Sequence, residues 1–259
     1  MKPEDLLFEA DDGVAWITFN RPEVRNAVSG DMVDALAEHC RRLAGDSAVR
    51  VLVLKGAGAL AFASGADLGE QATLVDEPTW RRFLARWAAA CEAVETLPFP
   101  TIAAIQGVCS GGGATLANCC DFRIAAPSSR YGYSNARVSG GGFSRGNVLR
   151  LVTLVGVSEA AQMLLTGRML TAAEALAAGA FSEVTKADED LQPRVAELAS
   201  QLAENAPITV RTAKGTLLSM RAAIPEDNFG PALEAYLSQD FQEGLAAFRE
   251  KRKPRWRGV

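Results

Sequence analysis

Apolar positions follow two rhythms along this chain. One is short and unbroken. Val51-Leu52-Val53-Leu54 and Thr101-Ile102-Ala103-Ala104-Ile105 are brief, partly β-branched runs bounded by glycine or proline, the pattern of buried strands. Leu6 to Ala10 and Val14 to Phe19 read as two strands joined at Asp11-Asp12-Gly13, a hairpin signal. Phe122–Ala125 and Ala180–Val184 are further strands. The other rhythm is helical. Ser29 or Asp31 can cap a helix running to about Leu43, with Met32, Leu36, Cys40 and Leu43 on one face. Asp67 stands where a helix starts, and a second helix spans about Pro78 to Leu97, ended by Pro98 and Pro100. Ala114 to Cys120 has the small and apolar residues of a buried helix. Thr171 with Glu174 has capping-box spacing, and Gly179 is placed to end that helix. From Leu191 the pattern is helical throughout: about Leu191–Glu204, Pro207–Met220 and Pro231–Arg252. Strands alternating with helices, then a helical last third, predict an α/β fold.

Two glycine-rich stretches carry candidate chemistry. Gly111-Gly112-Gly113 lies where the Thr101 strand gives way to the Ala114 helix. The first N–H groups of a helix lack internal partners, the helix dipole adds positive charge there, and glycine permits close approach. Such a turn suits an anion or a developing oxyanion, although three glycines also simply allow tight packing. Gly56 to Leu68 (GAGALAFASGADL) repeats the arrangement after the Val51 strand. Two such strand exits can each aim a backbone N–H at one point. Gly56-Ala57-Gly58-Ala59-Leu60-Ala61 also fits a dinucleotide fingerprint, but that motif needs a helix starting at its glycines, and the next helix signal is near Asp67.

These two segments, in this order and separation, resemble the oxyanion-hole motifs of the crotonase (enoyl-CoA hydratase/isomerase) superfamily. The resemblance extends over nearly the whole chain. It includes Asn20-Arg21-Pro22 with Asn26-Ala27, Leu165-Thr166-Gly167-Arg168 with Ala178-Gly179, and Phe241-Gln242-Glu243-Gly244 with Phe248 and Lys251-Arg252. It implies a spiral of ββα units with a helical C-terminal region. Residues 1–190 would form the core with the CoA-thioester site, and 191–259 a helical oligomerisation region. The implied ligand is an acyl-CoA, with coenzyme A part of the substrate and no separate cofactor or metal. The implied assembly is a homotrimer or a dimer of trimers.

Carried over residue by residue, the resemblance puts the thioester oxygen between the N–H groups of Ala66 and Gly112. Hydratases of the family add two glutamates. Their positions are Thr115, two residues after the glycine run, and Asn135, four after the Tyr131 of the Tyr131-Gly132 pair. Neither residue is a general base near neutral pH. Three readings stay open. One is enolate formation without those acids, for which decarboxylation of a malonyl-type thioester is suited, with Tyr133, Arg137 or Arg145 meeting the carboxylate or delivering a proton. The second is hydration or isomerisation through a displaced acid such as Glu70, itself expected as a solvated helix residue. The third is CoA-ester binding without chemistry. The resemblance further implies Arg21, Arg25, Ala27, Ala63 and Lys251 as coenzyme A contacts.

Composition narrows the partners. A net charge of −4 over 259 residues gives no reason to expect nucleic acid. The acidic N-terminus MKPEDLLFEADDG has no apolar signal core, and no run is read as membrane-spanning. Cys40, Cys91, Cys109, Cys119 and Cys120 form no CxxC pair and are odd in number, which fits a reducing cytoplasm. The single histidine, His39, lies beside a helix face without a GxSxG elbow, so a nucleophilic triad is not expected.

Overall fold

A computed structural model describes residues 2–220 and 229–258. Strands β1 (Leu6–Asp11) and β2 (Val14–Phe19) form the expected hairpin, antiparallel with Leu6 opposite Phe19. Asp12 and Gly13 both take positive φ, at 46° and 77°, as a two-residue turn of this hand requires. Helix α1 (Gly30–Ala44) is capped by Ser29, whose side chain accepts from the Met32 N–H at 3.4 Å. Asp31 instead lies in the first turn and pairs with Arg86.

The body of the chain then winds in turns. β3 (Val51–Gly56), β4 (Ala61–Ala63), α2 (Leu68–Gln71) and α3 (Glu77–Glu95) make the first. β5 (Thr101–Ile105), β6 (Val108–Ser110) and α4 (Gly112–Cys119) make the second. β7 (Phe122–Ala125), β8 (Arg130–Gly132) and α5 (Arg145–Thr166) make the third. β9 (Met169–Thr171), α6 (Ala172–Ala177) and β10 (Glu183–Val184) close the core. The first strand of each turn joins one sheet, in the order β1-β2-β3-β5-β7-β10, parallel except for the hairpin. The second strands form another sheet, β4-β6-β8-β9, closed by antiparallel β9. This is the ββα spiral.

The larger sheet is covered on both faces, which is why its strands read as unbroken apolar runs. Leu52, Leu54, Ala103 and Ile105 point into the main core with α1 and α3. Val51, Val53, Ile102 and Ala104 point the other way, onto Leu191, Val195 and Ala199 of α7 (Leu191–Glu204). Helices α8 (Pro207–Ser219), α9 (Gly230–Tyr236) and α10 (Gln239–Arg249) follow. The expected single helix from Pro231 to Arg252 is therefore two, because Ser238 caps a new start by accepting from the Phe241 N–H at 3.1 Å. Tyr236 stacks on Trp80 of α3 at 4.2 Å, and Phe241 meets both rings edge-on.

One further expectation needs correction, and one helix was not anticipated. The strand over Ala180–Val184 shrinks to Glu183–Val184. The unannounced α5 is 22 residues long and strongly apolar, so length and composition alone would let it span a membrane. Gly156, at φ 75° and ψ 166°, breaks it into two helical pieces.

Candidate functional site

The second sheet delivers two strand exits to one place. After β4, Gly65-Ala66-Asp67 runs alongside Val28 as a parallel bridge. The Val28 N–H donates to the Gly65 carbonyl at 2.9 Å, and the Asp67 N–H donates to the Val28 carbonyl at 2.9 Å. Because strand groups alternate, the N–H of Ala66 points away from Val28. After β6, Gly111 takes φ 52° and ψ −119°, a conformation open to glycine, and α4 starts at Gly112. As the first helical residue, Gly112 has an N–H with no intrahelical acceptor. Among the described residues neither N–H donates to another group of the protein. They converge. A Cβ built on Gly112 would lie 3.2 Å from the Ala66 nitrogen, and one on Gly65 would lie 3.6 Å from the Gly112 nitrogen. That same Gly112 Cβ would lie 2.5 Å from Cη2 of Trp87, so the indole of α3 walls this spot.

The Ala66 exit is braced from several sides. Asp67 caps α2, accepting from the N–H of Gly69 at 2.8 Å and of Glu70 at 3.3 Å, and pairs with Arg21 at 2.8 Å. Partial burial works to raise the Asp67 pKa, but the Arg21 bond and the two amides outweigh it and hold the group below the ordinary aspartate value. Glu70 is not the solvated residue expected. Its carboxylate accepts the Gly30 N–H at 2.6 Å and faces Arg86 at 3.8 Å, tying α2 to α1 and α3. Asn26, fully buried at φ 54°, donates to the carbonyls of Ala57 at 3.0 Å and Ala61 at 2.7 Å and accepts the Arg21 N–H at 3.0 Å. It staples the glycine loop to the first turn of chain after β2. Sequence reading gave Trp87 no role and named Asn26 only within the family resemblance, without its bracing bonds. The local signal for Asn26 was an asparagine, a residue that tolerates positive φ, beside a proline turn.

The two positions matched to hydratase glutamates lie on either side of Gly111. Asn135 opens a short 3₁₀ turn, Asn135–Arg137; its Oδ1 would be 3.8 Å from a Cβ on Gly111, and its Nδ2 donates to the Gly141 carbonyl at 3.3 Å. Thr115 is buried, and its hydroxyl donates to the Gly111 carbonyl at 3.2 Å. Tyr133, also buried, lies 3.4 Å from the Thr115 hydroxyl. Burial pushes the Tyr133 phenol well above its ordinary pKa, so it stays protonated. Tyr133 therefore lies against Thr115 as a protonated phenol. Arg145 is exposed at the start of α5, and Arg137 is exposed as well, so neither is gathered into this cluster by any described polar contact.

The residues matched to coenzyme A contacts are differently disposed. Arg21 is committed to Asp67 and to the Ala27 carbonyl at 2.9 Å. Ala63 is buried with its carbonyl and Cβ against Gly113. Arg25 is exposed, and its carbonyl accepts the Ser64 N–H at 3.0 Å, next to the β4 exit. Lys251 is exposed beyond α10. His39 stacks on Phe8 at 4.8 Å, and its partial burial lowers its pKa.

The sequence profile described as enoyl-CoA hydratase/isomerase matches residues 9–259. The crotonyl-CoA hydratase of Syntrophomonas wolfei is 32% identical, the match covering 98% of each chain. The human mitochondrial methylglutaconyl-CoA hydratase is 30% identical over the whole of this chain and 79% of its own. Among solved structures, an enoyl-CoA hydratase/carnithine racemase from Magnetospirillum magneticum superposes with a TM-score of 0.81 at 32% identity, covering 98% of this chain and 96% of that one.

Proposed function

We propose that this chain, which belongs to the enoyl-CoA hydratase/isomerase family, binds an acyl-CoA thioester with its carbonyl oxygen between the N–H groups of Ala66 and Gly112. The observation that carries this reading is the proximity of two undonated backbone N–H groups, with the Ala66 nitrogen 3.2 Å from the Cβ position of Gly112. Two such donors stabilise negative charge developing on the thioester oxygen, whether an enolate or a tetrahedral oxyanion. Each is worth about 2.7–4 kcal/mol in the transition state. The donors belong to the backbone and need no reorganisation as charge forms.

The proposed chemistry departs from ordinary hydration. A general base positions and deprotonates water, and such groups contribute typically ~10²–10⁴-fold each. At the two matched positions this chain offers a hydroxyl turned onto a backbone carbonyl and an amide, neither of which takes a proton near neutral pH. A reaction that reaches the enolate without a carboxylate base fits these groups. Loss of carbon dioxide from a malonyl-type thioester is one such reaction, since the breaking carbon–carbon bond supplies the enolate electrons.

Further parts of the reading follow. Arg25 and Lys251, both exposed, are the side chains proposed for the coenzyme A phosphates. A trimer, or a dimer of trimers, would cover the apolar surface that α5 and α8 leave open, where Val157, Leu165, Ile208 and Leu217 are 65–80% exposed. Five free, buried cysteines suit the cytoplasm.

The test is mass spectrometry of enoyl, saturated and malonyl-type CoA esters incubated with the protein in heavy water. Water addition, carbon dioxide loss, thioester cleavage and α-proton exchange each leave a distinct mass. Carbon dioxide loss or α-deuteration without hydration is expected. Efficient hydration of an enoyl-CoA would overturn the reading of Thr115 and Asn135. Binding with silence across the panel would leave an auxiliary, non-catalytic role.

A further inference from the structure

Thr115 and Tyr133 belong to one buried hydrogen-bonded series whose proton order is set by its ends. Tyr131 is fully buried, and its hydroxyl donates to Oδ1 of Asn118 at 2.7 Å. Nδ2 of the same amide donates to the Tyr133 hydroxyl at 3.1 Å. The single hydrogen of Thr115 goes to the Gly111 carbonyl at 3.2 Å. Tyr133 must then donate its own hydrogen to the Thr115 oxygen, 3.4 Å away. The series ends on the carbonyl of the peptide whose other half is the N–H of Gly112.

We propose that Thr115 and Tyr133 are positioning residues for the oxyanion donor, holding and polarising the Gly111–Gly112 peptide from behind. This rests on the Ala66/Gly112 reading above. The peptide needs such a hold. It lies in a run of three glycines, where rotation of the peptide plane meets little steric resistance. Rotation would swing the Gly112 N–H away from Ala66. The Gly111 carbonyl resists by accepting twice, from the Thr115 N–H at 2.9 Å and from its hydroxyl. Bonds that withdraw electron density from a carbonyl strengthen the N–H of the same amide as a donor, and successive bonds in a series reinforce one another.

Helical threonines commonly bond back to the preceding turn, and Thr153, Thr212 and Thr216 do so here. Thr115 differs in two respects. Its second partner is a side chain, the Tyr133 hydroxyl, where those of Thr153 and Thr212 are further backbone carbonyls, and the carbonyl it meets belongs to a candidate site peptide. The residue at a position matched to an acid thus serves the backbone donor rather than the ligand.

The test reads the carbonyl of a bound thioester directly. Acetyl-CoA labelled with carbon-13 at the carbonyl is the probe, because the smallest acyl group makes least demand on the pocket. Isotope-edited infrared spectra of the protein complex are compared with free acetyl-CoA. A downshifted carbonyl band is expected for the wild type. Thr115→Val and Tyr133→Phe should lose half or more of that shift while acetyl-CoA affinity stays within about threefold. Thr115→Ser should restore it. Thermal unfolding of each variant controls for folding, and if Thr115→Val does not fold, Tyr133→Phe carries the test with the ring retained. Full shift in both deletion variants overturns the inference and leaves the Ala66/Gly112 reading intact. Binding by the wild type without any shift overturns that reading instead, and the inference with it.

Discussion

The Ala66 nitrogen lies 3.2 Å from the point a Cβ would occupy on Gly112, although the two residues are 46 positions apart in sequence. Two different strands of the smaller sheet bring these groups together, so the candidate site is a property of the spiral rather than of either loop. Ala66→Pro removes one N–H while leaving the two bonds that seat this segment on Val28, since those come from Gly65 and Asp67. Any turnover found in the CoA-ester panel should fall about 10²–10³-fold, with far-ultraviolet circular dichroism unchanged. A folded Ala66→Pro protein with full activity would remove Ala66 from the site.

Asn26 gives a prediction that separates backbone strain from bonding. Its φ of 54° suits asparagine or glycine, and its side chain satisfies two carbonyls and one N–H. Asn26→Gly keeps the conformation and loses the bonds, leaving the carbonyls of Ala57 and Ala61 short of donors. A cost of about 2–3 kcal/mol is expected in urea unfolding. Asn26→Ala loses the same bonds and adds a strained left-handed backbone, so it should cost roughly 1 kcal/mol more. Equal stability of the two variants would mean that the strain is not there.

What the sequence revealed depended on how each element makes its hydrophobic contacts. β3 and β5 were legible because Val51 to Leu54 and Ile102 to Ile105 are buried on both faces, which calls for an unbroken apolar run. α1 was legible through its Ser29 cap and its single apolar stripe. β4, β6 and β8 are three residues each, too short to display a period, and they are the strands that lead into the site. α5 shows no amphipathic stripe because it is apolar on most sides and interrupted at Gly156. The two donors were legible only through family resemblance, which matched Ala66 and Gly112 in motifs. The bracing of Asp67 by Arg21, and of Glu70 by Gly30, links positions 46 and 40 residues apart in sequence. Long-range pairings of that kind leave no local pattern.

Acid should weaken the C-terminal fold through Glu243. Its bond to the Arg252 guanidinium, followed by the Arg255 N–H, lowers its pKa from 4.5 to about 2. A carboxylate whose folded pKa is depressed adds stability above its unfolded pKa and loses it as pH falls through the folded value. The window is therefore pH 4.5 down to about 2. Glu243→Gln should be less stable than wild type at pH 7, and the difference should shrink steadily across that window. The group is exposed, so the effect is small and should diminish in high salt. A difference that grows on acidification contradicts the assignment.

Lys214 allows a sharper test of how the core is held. It is 7% exposed on α8, and its ammonium donates to the Phe99 carbonyl at 2.9 Å and to Asp121 at 2.8 Å. The same Asp121 oxygen accepts the Thr101 N–H at 2.8 Å and hydroxyl at 3.0 Å, so one carboxylate joins the start of β5, the end of α4 and α8. Lys214→Met keeps the chain length but strands a carbonyl and leaves the carboxylate without its cation. A loss of about 2–4 kcal/mol is expected, below the upper range for buried pairs because Asp121 is 29% exposed. Asp121→Asn in the same background should recover part of that loss, because the stranded charge is gone, and a double-mutant cycle in urea would measure the coupling. Asp121 follows the C-terminal end of α4, whereas the candidate donor Gly112 opens its N-terminal end. Acetyl-CoA affinity should therefore change little in Lys214→Met under conditions where the variant is folded. A collapse of affinity with stability intact would show that α8 reaches the site by a route other than the Asp121 clamp.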